Sequence, residues 1–431
     1  TPCGTLFPYT TLFRSRRWER RFRSMEAEVA RQKADDVRDL AQRLISVLAG
    51  IRGHALEDLP KGSVLVANRL LPSDTIFLAR RSAAAAVLEV GSVGSHAALF
   101  AHEVGLPCIS GLQGVVERIP PGELALVDAD DGTVVIRPAP QEVRAFDQKR
   151  ARRERSHRQA RARAHEPAVA PDGRTIPVMA NVGQSEDTQA ALSNGADGIG
   201  LYRIERIYLG RQEPPNTAAL LREMRSTLEP AKDLPVQVRL LDVGADKPLP
   251  FMEERREANP SLGRRGIRFL RDFPDLLETQ LEALLHLSQE FELGILVPMV
   301  TLADDLRMVR DRLDETAEKL GIADRPQVGA MIETPGAALA AADLVPHADF
   351  LSFGTNDLTQ YTFAADRENA AVDAYFDDTH EAVFRLMRTV HADVPDAPLS
   401  LCGELAGRPA STARILECGI SSLSVAPPSV P

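Results

Sequence analysis

Two short apolar runs in the second half of the chain, Val328–Ile332 and Phe350–Phe353, close on residues able to hold a metal or a substrate. Glu333 follows the first run, and Asn356 and Asp357 follow the second. A short uninterrupted apolar run reads as a parallel strand buried on both faces, and in a barrel of such strands the chemistry gathers at the C-terminal ends. Two carboxylates, one from each strand end, suit Mg²⁺, which takes one or two carboxylates and fills its other positions with water and substrate oxygens. Either acid alone is more simply a helix cap or a solvated loop residue. What changes the balance is the set of polar residues at the other strand ends.

Val178–Val182, Gly198–Tyr202, Val236–Val243, Gly294–Met299, Val328–Ile332, Phe350–Phe353, Pro398–Cys402 and Ser421–Ala426 all read as strands, with helical stretches between most of them. The alternation predicts an α/β protein with a (β/α)8 barrel over residues 176–431. Arg203 and Glu205 follow the second strand, Arg239 lies in the third, and Asp242 and Lys247 come after it. Arg265 sits in LGRRGIR, Arg367 lies beyond Asp357, and Cys402 and Glu404 end the seventh strand. One arginine is ordinarily a surface ion-pair partner; several aimed at one mouth are harder to explain that way. A lone Cys402 reads as a small buried hydrophobe, the reading kept for Cys108 and Cys418. Nothing in this half reads as a nucleotide-binding loop.

Bulk properties bound the alternatives. With 431 residues, 44% hydrophobic content and no apolar run of bilayer-crossing length, the sequence predicts a soluble, cytoplasmic protein of two or three domains without membrane insertion. A net charge of −10 gives no general reason to expect nucleic acid. Cys3, Cys108, Cys402 and Cys418 lack the spacing of a zinc site or a disulfide framework, which fits a reducing compartment.

Residues 1–15, TPCGTLFPYTTLFRS, lack the form of a signal peptide and resemble a translated adapter scar. Over residues 16–50, Val37, Leu40, Ala41, Leu44, Ile45 and Leu48 fall at helical spacing ahead of Gly50. Residues 51–143 change to short strands and helices: Ser63–Ala67, Ala85–Val90 and Cys108–Ser110, then a hairpin of Leu124–Val127 with Val134–Arg137. Inside that region a loop containing Gly91 and Gly94 leads through Ser95 to His96 and a helix from Ala97. A histidine so placed can present a phosphate to free backbone amides and the positive end of the helix dipole. On its own it is more simply a cap-adjacent or packed residue. Residues 144–175 are dense in arginine, spaced by alanine and glutamine without interleaved aromatics, and read as a solvated linker helix rather than a nucleic-acid arm. Pro167, Pro171 and Asp172-Gly173 mark its end.

The segments LLDVGADKPLP, NPSLGRRGIR, MIETPGAAL, DFLSFGTNDLTQYTFAADREN, LCGELAG and SSLSVAPPSVP resemble the barrel domain of enzyme I of the phosphoenolpyruvate-dependent sugar phosphotransferase system, in that family's order. VGSVGSHAALFAHEVGLPCISG resembles the family's phosphohistidine motif, Gly-Gly-x-Thr-Ser-His, with Ser92 for the second glycine and Gly94 for the threonine. The resemblance implies that residues 51–143 are a swivelling phosphohistidine domain and 144–175 a linker. It implies that 16–50 are a remnant of the helical subdomain that binds the phosphocarrier HPr, KADDVRDLAQRL being its last helix. The chain so read is a fragment, lacking most of that subdomain and the barrel's closing helix.

The implied reaction is Mg²⁺-dependent transfer of phosphate from phosphoenolpyruvate to His96, release of pyruvate, and onward transfer to HPr. The resemblance assigns phosphoenolpyruvate binding to Arg203, Arg239 and Arg367, a further active-site role to Arg265, a phosphate contact to Asn356, and Mg²⁺ to Glu333 and Asp357. Cys402 matches the family's proton donor, a thiol of near-neutral pKa with Glu404 orienting it. The family's Arg-Thr-Glu after the second strand is here Arg203-Ile204-Glu205, which removes a hydroxyl beside the site. Family members form homodimers through the barrel. Three other readings stand beside this one. A phosphoenolpyruvate synthase or pyruvate phosphate dikinase would need an ATP-binding domain not found here, a metal-dependent pyruvate-enolate lyase would have no use for His96, and the third is a catalytically silent fragment.

Overall fold

The computed structural model describes residues 37–41, 44, 56, 59–71, 74, 77–78, 82–90, 101, 106–129, 131–209, 211–244, 249, 251–252, 257–367, 369 and 371–431. His96 with Ser92 and Gly94, Lys247, and most of residues 16–50 lie outside the described residues. The chain divides into two compact units, residues 1–153 with 367–371 and residues 154–366 with 372–431.

In the first unit β1 (Val64–Ala67), β2 (Ala85–Leu88) and β3 (Cys108–Ile109) form a parallel sheet in that order. β2 is buried along its whole length. Successive side chains of a strand point to opposite faces, so Ala86 and Leu88 join Leu70, Leu78, Ala101 and Leu106 on one side while Val87 packs with Val115 and Ile119 on the other. β4 (Ala125–Asp128) and β5 (Thr133–Ile136) pair antiparallel as the expected hairpin. The helix Pro140–Ala162 follows, and none of its residues is buried. Lys149 ties it to the hairpin turn through Asp128 at 2.5 Å and Asp131 at 2.6 Å.

The second unit is a closed parallel barrel of β6 (Val178–Val182), β7 (Ile199–Arg203), β8 (Val236–Arg239), β9 (Leu293–Val297), β10 (Gln327–Ile332), β11 (Phe350–Phe353), β12 (Leu399–Leu401) and β13 (Ser422–Val425). Each expected strand is present: β6 and β11 have the expected bounds, β8, β12 and β13 are shorter, β7 and β9 are shifted, and β10 begins one residue earlier. β9 stops before Pro298, which has no ladder donor, and the chain then turns sharply, Met299 taking φ 56. Amphipathic helices cover the outside. In Glu381–Asp393 the buried residues Val383, Phe384, Met387 and Val390 share one face, and Ala303–Leu320 ends at Gly321, whose φ of 68 suits a left-handed cap.

The barrel's interior is unusual in its small side chains. A Cβ at Gly329 would lie 2.2 Å from the Phe350 ring and one at Gly294 would lie 3.2 Å from it, so a single aromatic from β11 fills the space that two glycines leave. Phe350 packs there with Leu201, Leu296, Met331 and Cys402, a buried cluster separate from the main core between barrel and helices.

Candidate active site at the barrel mouth

Parallel register sets the first pair of groups. Arg203 and Arg239 end β7 and β8 and are direct partners across the ladder, so their side chains leave the barrel side by side. Arg203 is exposed and, among the described residues, makes no hydrogen bond or ion pair. Arg239 is buried and held on two sides, by Glu205 at 2.7 Å and Asp242 at 3.1 Å, yet its Nε–H has no acceptor. Burial works against its charge, but Glu205, Asp242 and Glu333 together keep its pKa above the ordinary arginine value.

The acids that hold Arg239 also organise the next arginine. Asp242 accepts from Arg265 at 2.9 Å, and Arg265 reaches on to Asp357 at 2.8 Å and to the Tyr361 hydroxyl at 3.2 Å. Tyr361 in turn donates to the Ser261 carbonyl. The backbone N–H of Asp242 donates to Glu205 at 3.0 Å, which closes a chain Arg239–Glu205–Asp242–Arg265–Asp357 of buried charges. Buried ions persist only when paired and hydrogen-bonded, and here each is.

Glu333 directly follows β10 and is fully enclosed. Its Oε1 accepts from the Met299 N–H at 2.5 Å, the amide aimed there by the turn at Met299. A Cβ at position 354 would stand 2.9 Å from Oε2, so only glycine leaves room for this carboxylate. Burial, and then the nearby carboxylates of Asp357 and Asp242, push Glu333 up to about 8 against the pull of Arg265 and Arg239.

Asn356 and Asp357 are not at the strand end itself. β11 stops at Phe353, and both lie in the first turn of the helix Thr355–Phe363. Asn356 accepts the Glu404 N–H at 2.9 Å through Oδ1. Arg367 lies in a turn beyond that helix, in the short segment that groups with the first unit.

Cys402 follows β12, its N–H donating to the Phe353 carbonyl at 3.0 Å. Its thiol is 3.5 Å from both the Ser352 hydroxyl, which donates to it, and the Phe353 carbonyl, which accepts from it. Burial raises the thiol pKa above its ordinary value. This corrects the expectation of a near-neutral thiol: Cys402 is protonated in the ligand-free site. Orientation by Glu404 also fails, because that side chain is exposed and the residue engages Asn356 through its backbone. Ser352 holds the thiol. Ile204, where the resemblance has a hydroxyl, is fully buried in the apolar core.

The structure thus brings Arg203, Arg239, Arg265, Glu333, Asn356, Asp357 and Cys402 to one end of one barrel. Sequence reasoning gave no role to Glu205, Asp242, Ser352 or Tyr361. Ser352 had a signal, as the one polar residue in the run Phe350–Phe353; Glu205 and Asp242 were visible as polar strand ends, and their pairing with the arginines, like the part of Tyr361, is legible only once the strands are closed.

Two family models match. Residues 157–431 match the PEP-binding domain of PEP-utilising enzymes, and residues 59–132 match their mobile domain. Curated relatives named phosphoenolpyruvate-protein phosphotransferase include one from Geobacillus stearothermophilus, 36% identical over 416 residues, which covers 95% of this chain and 72% of the relative. Another, from Haloferax volcanii, is 38% identical over 410 residues, covering 93% and 71%. The Bacillus subtilis protein is 32% identical, covering 95% and 73%. A solution structure of an Enzyme I protein is 28% identical with a TM-score of 0.28, covering 33% of this chain and 58% of that one, a structural likeness too slight to carry an argument. The chain belongs to the phosphoenolpyruvate-protein phosphotransferases, enzymes of the phosphoryl-transfer class. Among the described residues no helix is long and apolar enough to cross a membrane.

Proposed function

We propose that the barrel mouth binds phosphoenolpyruvate and passes its phosphoryl group to His96, and that HPr then receives it. The observation that carries this reading is the pair of neighbouring arginines, one without a side-chain partner among the described residues and the other with an unsatisfied buried N–H, standing beside a thiol whose pKa burial raises. A dianionic substrate with a phosphate and a carboxylate matches the rigid donor forks of Arg203 and Arg239, with Arg367 as a third contact and Arg265 and Asn356 completing the site.

In the forward step a ring nitrogen of His96 attacks phosphorus, and the bond from phosphorus to the enol oxygen breaks with its electron pair passing to the enolate. Cys402 gives its thiol proton to the methylene carbon, which yields pyruvate. The thiolate left behind is stabilised by the Ser352 hydroxyl and by Arg203 and Arg239, and it recovers its proton from water. Glu333 and Asp357 are the residues that would hold Mg²⁺. The donor set fits: both are hard oxygen ligands, and burial together with the nearby carboxylates of Asp357 and Asp242 raises the Glu333 pKa despite Arg265 and Arg239. When bound, Mg²⁺ supplies that charge to the substrate's phosphate and carboxylate oxygens. Self-association through the barrel belongs to the same reading, supported by Leu262 and Leu302, exposed leucines on either side of the Arg268 bridge from the Leu262 carbonyl to Thr301.

The test is intact-protein mass spectrometry after incubation with Mg²⁺ and phosphoenolpyruvate, with a His96→Ala control and a pyruvate assay. An acid-labile phosphate on the chain and not on the control, matched by pyruvate, is the expected result. Pyruvate without protein phosphate would remove His96 as acceptor.

A further inference from the structure

Cys402 stands one residue past the end of β12, where the backbone ladder to β13 stops with the pair Leu401 and Leu423. Its N–H is still held from β11, by the Phe353 carbonyl. Its carbonyl is held instead by a side chain: Asn181 Nδ2 donates to it at 3.0 Å. Asn181 belongs to β6, which is not a neighbour of β12, since β13 lies between them and pairs with β6 where the last strand of the barrel meets the first. That intervening strand supplies a brace. Buried Ser424 of β13 donates its hydroxyl to Asn181 Oδ1 at 2.7 Å, which fixes the end of the amide that faces Cys402.

β7 is shaped to admit this pair. Ile199 and Tyr202 both face the outer core while Leu201 packs in the lumen with Cys402, a break in the strict alternation of a strand. The break is a bulge: Ala180 pairs with Ile199 but Asn181 pairs with Leu201, which leaves Gly200 as the extra residue. A Cβ at Gly200 would lie 2.5 Å from Ser424 Oγ, so glycine leaves the room that the serine hydroxyl takes. The same bulge brings Arg203, two residues beyond Leu201, onto the lumen face.

We propose that Asn181, braced by Ser424, is a positioning residue for the proton donor. It fixes the backbone of Cys402 across the closing seam of the barrel and so aims the thiol at the methylene carbon of the substrate. The inference rests on the reading of Cys402 as that donor. Its test uses phosphoenolpyruvate with a single deuterium at one defined position on the methylene carbon, converted by the full chain in tritiated water. The pyruvate then carries a chiral methyl group, whose handedness records whether one face alone was protonated.

The unmodified chain is expected to give one hand, and Cys402→Ala a slow and racemic product. Asn181→Leu is expected to lower the maximal rate of pyruvate release by about 10–10²-fold, the scale of a small misplacement. The half-saturating substrate concentration should hold and the product should be partly racemised. Ser424→Ala, which removes only the brace, is expected to act in the same direction more mildly. A packing role for the pair would leave handedness untouched. Full rate and a single hand in folded Asn181→Leu overturn the proposal while leaving Cys402 as donor, and so does weaker substrate binding at an unchanged maximal rate. An undiminished rate in Cys402→Ala, a racemic product from the unmodified chain, or no pyruvate from it removes the reading underneath, and the positioning role with it. Should Asn181→Leu fail to fold, Ser424→Ala decides on the same criteria.

Discussion

At the mouth of the barrel nearly every buried charge is answered by another, whereas at the floor, its opposite end, Glu292 and Asp324 stand exposed and, among the described residues, make no side-chain hydrogen bond or ion pair. The packed cluster around Phe350 separates the two ends, and the same strand, β8, supplies a side chain to each: Arg239 at the mouth and Gln237 at the floor. The contrast teaches how the mouth can be both stable and reactive. The chain from Arg239 through Glu205, Asp242 and Arg265 to Asp357 fixes five charged groups in place before any substrate arrives, so little reorganisation is left for the reaction itself. Arg203 is kept out of that chain, and an incoming anion finds it uncommitted.

The contrast can be broken most severely at the proton donor. Cys402→Ala, measured as pyruvate release, is expected to fall by about 10²–10⁴-fold, the usual worth of a positioned general acid, with the melting temperature little changed. Breaking the charge chain should act in the opposite way. Arg265→Met removes the buried guanidinium that joins Asp242 to Asp357, and chemical denaturation is expected to show a loss of about 3–5 kcal/mol. Arg203→Met has no ion pair to lose, so stability should hold while phosphoenolpyruvate binding weakens by about 1.5–3 kcal/mol, the range for a hydrogen bond to a charged group. Midway down the lumen, Gly329→Ala forces a methyl group against the Phe350 ring and is expected to cost about 1–3 kcal/mol in denaturation. The smallest effect is a shift in pH profile: Ser352→Ala removes the donor to the Cys402 sulfur, so the iodoacetamide reaction of that thiol should move to higher pH.

The eight strands were legible because each is a short apolar run, and their polar termini were legible because a barrel gathers such termini at one face. Boundaries shifted by a residue or a few, as at Pro298, where the missing donor ends β9 earlier than hydrophobicity suggests. The partners of those termini were not legible. That Arg265 reaches Asp357 across 92 positions, or that Ser352 supports Cys402, depends on which strands close beside which, and no local pattern encodes it. The floor cavity was invisible for a different reason: it is a space bounded by the starts of β8 to β11 and the loops before them, and a sequence records side chains, not the gaps between them. Glu404 misled because nearness in sequence to Cys402 does not give nearness of side chains.

The helix Pro140–Ala162 buries none of its residues, and it carries arginine or lysine at position 144 and at short intervals from 149 to 161. A helix with so little tertiary support opens locally at low cost, and every opening exposes a bond that trypsin can cut. Brief digestion should therefore sever the chain here first. The fragment beginning near Glu154 would keep its own apolar core, and its lifetime under protease would report on the barrel alone.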